Sequence, residues 1–250
     1  MKTKMLAAAL CALLAAPAAF AGREAHWSYS GRTDAGRWAD LDKRFRDCRN
    51  GEAQSPVDLG GTQEKTAGLD AMGFAYGSGP AELVNNGHTV QVNLPDAGTV
   101  RIDGTPYRLL QFHFHTPSET TFDGKAYPLA AHLVHRNAEG RLAVVAVLFR
   151  LGMENAALRP VLSGLPARKG ERRKLAALDP SALLPAARGY YAYMGSLTTP
   201  PCSEGVRWRV FSTPLEISAA QLAAFRALYP MNARPAQPLN GRAIRTGDAD

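Results

Sequence analysis

Three histidines, His113, His115 and His132, have the residue type and spacing that could do chemistry in this chain. His113 and His115 are two residues apart in a stretch that alternates like a strand, so both imidazoles fall on one face. A neighbouring strand that carries His132 would bring a third imidazole to the same place. Three neutral imidazoles hold Zn2+ with one tetrahedral position open, where a bound water has a pKa of about 7. The pattern indicates a catalytic zinc site.

A His-x-His pair is weak evidence alone, because paired strand histidines also occur in other metal-binding β proteins and as plain core or surface residues. His135 lies on the opposite face of its strand from His132, so we expect it to be structural. Val134 shares the face of His132 and would line the same pocket.

Strands must position these histidines, and alternation with turn residues predicts several. They cover 89–94, 100–103, 106–115, 129–136, 142–151 and 205–211. The nearly continuous apolar run 142–151 predicts a strand buried on both faces. Asp103-Gly104 predicts a hairpin turn.

Helices are predicted to be few and short. The strongest candidate is 218–228, where Ser218 can cap the helix and Gln221 completes a capping box. Segments 154–162 and 38–46 are weaker candidates. We predict one domain of mixed α+β class, mainly β, with a large central sheet and helices at its edges.

Residues 1–21 are typical of a cleaved secretory signal peptide. Two lysines precede the apolar run 5–14, and Ala19-Phe20-Ala21 fits the cleavage pattern. Cys11 follows a leucine rather than a small residue, which favours cleavage over lipid attachment. The sequence predicts a mature domain over 22–250, located in the periplasm and without a membrane anchor.

The distribution of charge bears on which partners the protein could bind. Removal of the signal leaves 27 basic and 22 acidic residues, a net charge of +5. The charges are scattered apart from a basic run within 168–174, which we expect to be a solvated loop or turn, and no nucleic-acid partner is indicated.

Two cysteines, Cys48 and Cys202, remain after removal of the signal. An even pair suggests one disulfide in an oxidising compartment, and two free buried thiols are the alternative.

Eight motifs make the chain similar to the α-carbonic anhydrase family over nearly all of its mature length. In chain order they are QSPV at 54–57, NNGH at 85–88, QFHFH at 111–115, Ser118-Glu119, AHLVH at 131–135, GSLTTPP at 195–201, Trp208, and RPAQPL at 234–239. The resemblance implies a single domain with a large, mostly antiparallel twisted sheet and short peripheral helices. It implies hydration of carbon dioxide to bicarbonate and a proton by zinc-bound hydroxide.

The resemblance also implies residue roles. His113, His115 and His132 would bind Zn2+, and Gln111 would accept a hydrogen bond from His113. Thr198 would donate to Glu119 and accept from the hydroxide. His88 would shuttle protons, since a histidine of pKa near 6.5 exchanges them near neutral pH; a plain turn histidine is the alternative.

The remaining implied roles concern substrate, solvent and cross-linking. The apolar wall of the carbon dioxide pocket would consist of Val134, Val144, Leu197 and Trp208. The polar side and its water network would include Tyr29, Asn86, Gln91 and Thr199. Cys48 and Cys202 match the disulfide of bacterial members.

Two positions depart from the family pattern. Thr120 stands where a histidine usually follows Ser-Glu, and Ala130 stands where a glutamate usually accepts a hydrogen bond from the third ligand. Loss of such an acceptor typically costs about 10–100-fold in metal affinity or activity. We therefore expect zinc to be held more weakly, or to exchange faster, than in typical members.

Two alternatives to the enzyme follow from the same residues. One is a catalytically impaired binding module on the same scaffold, which the two departures favour and the three retained histidines oppose. The other is a zinc esterase, which would use the same hydroxide as a side activity. Bacterial members often form homodimers, so a homodimer is the oligomer to test.

Overall fold

A computed structural model describes residues 25–60 and 69–247. The predicted signal peptide, 1–21, lies outside the described residues. Within the described part of the chain, no helix is both long and apolar enough to cross a membrane.

Strands dominate the described residues. They are β1 (Gly73–Tyr76), β2 (Gly79–Asn85), β3 (Val90–Asn93), β4 (Gly98–Ile102), β5 (Thr105–His115), β6 (Thr121–Phe122), β7 (Lys125–Ala126), β8 (Leu129–Arg136), β9 (Leu142–Leu151), β10 (Arg172–Leu178), β11 (Tyr190–Ser196), β12 (Glu204–Phe211), β13 (Leu215–Ile217) and β14 (Arg245–Gly247). The six predicted strands correspond to β3, β4, β5, β8, β9 and β12, and the bounds of β8 and β9 are those predicted.

Twelve of these strands form one sheet, in the order β10-β2-β3-β5-β8-β9-β12-β11-β14, with β1, β4 and β13 attached beside this path. Strand β9 pairs in parallel with β12 and β13, and the other pairs of this sheet are antiparallel. The prediction of a large, mostly antiparallel sheet is confirmed.

Strand β9 is buried on both faces, as its apolar run predicted. Val145, Val147 and Phe149 join the larger apolar core on one face. Val144 and Leu148 join a second apolar cluster on the other face. This alternation separates a packing face from the face that carries the site.

The helices are short. They are α1 (Trp38–Leu41), α2 (Asp47–Asn50), α3 (Arg159–Leu162) and α4 (Ala219–Arg226), with 3-10 turns at Gly31–Thr33, Lys43–Phe45, Ala156–Leu158 and Pro180–Leu183. Helix α4 has the predicted capping box of Ser218 and Gln221. The predicted helix over 38–46 is interrupted because Asp42 is extended and its side chain caps the following turn through the N–H of Arg44.

The basic run within 168–174 was predicted to be a solvated loop or turn, which is confirmed for 168–170 and wrong for 172–174. Arg172 begins β10, an edge strand that pairs with β2. Its side chain forms an ion pair of 2.7 Å with Glu82 on β2, and its neighbours in the run are exposed. Charged residues are tolerated here because an edge strand that bears them resists pairing with other chains.

The register of β5 against β8 positions the histidines. His113 lies directly opposite His132, and His115 lies opposite Ala130. Because side chains two residues apart share a face, all three imidazoles project from the same side of the sheet.

Candidate metal centre

The three histidines converge on one point. A nitrogen from each of His113, His115 and His132 lies within 4.8 Å of the other two. The ring centroids are 4.5 Å apart for His115 and His132 and 5.0 Å apart for His113 and His115. His115 and His132 are buried, and His113 is half-buried.

The hydrogen bonds of two ligands fit a metal ion. The Nδ1–H of His113 donates to Oε1 of Gln111 at 2.9 Å, and the Nδ1–H of His115 donates to the carbonyl oxygen of Asn232 at 2.8 Å. Each ring is thereby fixed with its Nε2 lone pair free, as a metal ligand requires. Burial, and then the neighbouring imidazoles, hold the pKa of His113 and of His132 well below the usual value, so both are neutral. A neutral imidazole is a ligand that suits Zn2+.

Glu119 lies behind the triad as a buried carboxyl. Its Oε1 accepts a hydrogen bond of 2.9 Å from the backbone N–H of Arg234 and lies 3.4 Å from Nδ1 of His115. Burial raises the pKa of Glu119, while the charge of His115, the Arg234 N–H and the nearby Thr198 hydroxyl oppose that rise. Thr198 therefore lies close to Glu119, but Oε2 of Glu119 is buried without a hydrogen-bond partner at normal distance among the described residues.

The loop that carries Thr198 is anchored by a disulfide at its C-terminal end. Cys202 forms a disulfide with Cys48, 154 residues away in sequence, so the predicted pairing is present and the free-thiol alternative is wrong. The N–H of Cys202 also donates to the carbonyl of Thr199 at 2.9 Å, which closes the loop. Thr199 is half-buried beside Thr198.

Arg234 links the disulfide to the carboxyl. Its guanidinium is buried and donates to the carbonyls of Cys48 and Ser55, both at 2.7 Å, and to Oε1 of Gln54. The same residue gives its backbone N–H to Glu119. Sequence reasoning named the segment 234–239 only as a motif and gave Arg234 no role.

The predicted apolar wall forms one cluster beside the triad. Val144 and Trp208 belong to the second apolar cluster, and Val134 and Leu197 pack against it. The ring of Trp208 stands 4.9 Å from that of His132, and its indole N–H donates to the carbonyl of Ser196.

Two side chains of the predicted polar side, those of Asn86 and Gln91, form hydrogen bonds with neighbouring residues. Asn86 accepts hydrogen bonds from the backbone N–H groups of His88 and Thr89, both at 2.9 Å, which shapes the turn before β3. Gln91 lies opposite His113 in the sheet and donates to Asn93.

Tyr29 lies among aromatic rings, 5.5 Å from Trp27 and 5.8 Å from Trp38 by ring centroids. Burial, followed by the charge of Glu119, raises the pKa of the Tyr29 hydroxyl well above its usual value. The hydroxyl therefore stays protonated at neutral pH.

The surroundings and the pKa of His88 differ from those expected of a histidine that titrates near pH 6.5. Its ring stacks on Trp27 with centroids 3.6 Å apart and planes within 5°. Burial, followed by the charges of Lys169 and His26, lowers the pKa of His88 to about 4. Sequence reasoning missed Trp27, because no local pattern links it to a residue in a distant turn.

His135 is structural, as predicted. It is fully buried on the opposite face of β8, where Nε2 hydrogen-bonds the Tyr76 hydroxyl at 2.5 Å. Burial lowers the pKa of His135 to about 3, so the ring is neutral.

Comparison with known proteins agrees with this geometry. The eukaryotic-type carbonic anhydrase family model matches residues 33–248. A carbonic anhydrase of Klebsiella pneumoniae is 45% identical over 249 residues, which cover 98% of this chain and 99% of that protein. The α-carbonic anhydrase of Thermovibrio ammonificans in complex with the inhibitor sulfanilamide has a TM-score of 0.86 at 46% identity, covering 88% of this chain and 99% of that one.

A structure with a different title shares the fold. Dioscorin complexed with ascorbate has a TM-score of 0.83 at 30% identity, covering 90% of this chain and 99% of that one. The family model and the bacterial relatives nevertheless agree over nearly the whole length. The chain belongs to the eukaryotic-type, or α-class, carbonic anhydrase family, whose members are lyases that catalyse the hydration of carbon dioxide.

Proposed function

We propose that this chain catalyses the reversible hydration of carbon dioxide to bicarbonate and a proton, with Zn2+ held by His113, His115 and His132. The observation that carries the proposal is the convergence of the three imidazole nitrogens within 4.8 Å in a chain of this family. When bound, Zn2+ lowers the pKa of a coordinated water molecule to about 7, so a strong nucleophile is available at neutral pH.

Thr198 orients the nucleophile in this proposal. Glu119 as a carboxylate can only accept hydrogen bonds, so the Thr198 hydroxyl gives its single proton to Glu119. The Thr198 oxygen can then accept a hydrogen bond from the nucleophile in the pocket. A nucleophile that donates to Thr198 in this way has a lone pair directed at the substrate, which lowers the entropic part of the barrier.

The apolar wall binds the substrate. Carbon dioxide carries no net charge, and Val134, Val144, Leu197 and Trp208 offer it a surface without competing hydrogen bonds beside the triad. Exclusion of water from this wall strengthens the electrostatic interactions of the site.

The polar side carries the product proton outward. His88 is the relay residue, and Tyr29, Asn86, Gln91 and Thr199 support ordered solvent between it and the metal. A pKa of about 4 makes His88 a weak proton acceptor at pH 7. We therefore assign it a conformational step, in which the ring leaves Trp27 before it accepts a proton.

The disulfide between Cys48 and Cys202 supports an oxidising location, because such bonds persist outside the reducing cytosol. We propose export to the periplasm after removal of residues 1–21. The partner is the small-molecule substrate, and a homodimer is the oligomeric state to test in solution.

Stopped-flow carbon dioxide hydration tests the function. The protein is purified in its processed form, saturated with zinc and assayed from pH 6 to 9. A zinc-dependent rate that rises through a pKa near 7 supports the enzyme. A rate no better than buffer, with zinc present in the protein, overturns it and favours a binding module.

A further inference from the structure

The three ligand histidines are not held equally. His113 and His115 each give their Nδ1 proton to an acceptor within 3 Å, the side chain of Gln111 and the carbonyl of Asn232. His132 has no such bond. Its Nε2 is buried without a partner in the described part of the chain, and its Nδ1 lies 3.8 Å from Oε2 of Glu119, beyond hydrogen-bonding distance.

This difference does not depend on which nitrogen of His132 binds the ion. If Nδ1 coordinates, the Nε2 proton has no protein acceptor among the described residues; if Nε2 coordinates, the Nδ1 proton has none at hydrogen-bonding distance. In both cases the ring of His132 is held by the strand backbone and by packing against the rings of Trp208, His113 and His115 rather than by a hydrogen bond to a protein acceptor among the described residues. A ligand without such a hydrogen bond is less basic and less firmly oriented.

The strand geometry identifies the residue responsible. Gln111 precedes His113 by two positions on β5 and shares its face, which lets its Oε1 reach the ring. Ala130 stands in the same relation to His132 on β8, fully buried in the second apolar cluster. A methyl group cannot accept a hydrogen bond.

We propose that Ala130 makes His132 the loosely held ligand, so that position 130 sets how long Zn2+ stays in the site. The proposal rests on the proposed zinc site of the previous section. A side chain with an acceptor at this position extends the residence time of the ion, whereas an apolar side chain of equal length does not.

Two matched variants test this proposal. Ala130→Gln supplies the acceptor that Gln111 supplies on β5, and Ala130→Met has similar length without an acceptor. Each zinc-loaded protein is mixed with excess chromophoric chelator, and the release rate of Zn2+ is followed. We expect Ala130→Gln to release zinc about 10-fold more slowly than Ala130→Met or the parent protein. Equal rates for the Gln and Met variants overturn the proposal.

A measurement on the unaltered protein keeps the proposal testable if the larger side chains prevent folding. Proton NMR of the zinc-loaded protein reports imidazole N–H groups that donate hydrogen bonds as strongly downfield signals. We expect two such signals from the ligands, those of His113 and His115. A third, assigned to His132, shows that it has an acceptor and overturns the proposal. Zinc content is measured first, because a protein that binds no zinc contradicts the proposed function itself.

Discussion

The backbone N–H of Arg234 donates a hydrogen bond of 2.9 Å to Oε1 of Glu119, in the buried space behind the histidine triad. This bond fixes one carboxylate oxygen, and the other, Oε2, is buried without a hydrogen-bond partner among the described residues. Because the Arg234 side chain also donates to the carbonyl of Cys48, the same residue connects the disulfide to Glu119. The chemistry of the site therefore depends on contacts between segments far apart in sequence.

Glu119→Gln tests the direction of this hydrogen-bond chain. The amide keeps one acceptor but adds a donor, so Thr198 no longer has to give its proton away and is free to rotate. We expect the hydration rate to fall by about 10–100-fold with zinc retained. The rate and the zinc content are measured together, with the exposed Glu139→Gln as control. An unchanged rate in Glu119→Gln would mean that the carboxylate does not orient Thr198.

Removal of the disulfide tests the anchor of the catalytic loop. We expect the double variant Cys48→Ser, Cys202→Ser to lose about 3–5 kcal/mol of unfolding free energy, because the bond closes a very long loop. Denaturant unfolding measures the loss, and the variant avoids an unpaired thiol. The hydration rate should fall as well, since Cys202 closes the loop that carries Thr198. Stability equal to that of the parent contradicts the assignment.

The low pKa of His88 has two causes that variants can separate. Burial comes first and the charge of Lys169 second, so Trp27→Ala should raise the pKa of His88 more than Lys169→Gln does. Both changes move it upward, toward the ordinary value near 6.5. NMR titration of the ring measures the pKa, with the exposed Arg168→Gln as control. No rise in either variant would show that neither contact sets it.

His135 should make stability fall in acid. Its folded pKa of about 3 lies below the unfolded value near 6.5, so its contribution is complete above pH 6.5 and is lost as the pH falls toward 3. The loss is about 1.4 kcal/mol per pH unit in that window. We expect the stability difference between the parent and His135→Gln to shrink from pH 6.5 to pH 4, measured by denaturant unfolding. A difference that stays constant would mean that His135 titrates normally.

Sequence predicted the parts of this molecule that depend on local pattern. The bounds of β8 and β9 followed from an apolar run between turn residues, and alternation placed His113, His115 and His132 on one face. The charges at the start of β10 concealed a strand, because an edge strand need not be apolar.

Long-range partners could not be predicted in this way. His115 is held by a backbone carbonyl, that of Asn232, and every residue type offers one. The stacking of His88 on Trp27 joins two segments whose separation carries no periodic signal. The family resemblance supplied the ligand set and the Thr198–Glu119 pair, whereas the missing acceptor of His132 needed the distances.

The most direct test of the central claim is a zinc titration of the metal-free protein, followed by carbon dioxide hydration at neutral pH. We expect the rate to rise linearly up to one zinc per chain and then to stay constant, and we expect no such rise in His115→Ala. A rate that is independent of zinc, or an inactive protein at full zinc occupancy, would contradict the claim that His113, His115 and His132 form a catalytic metal centre.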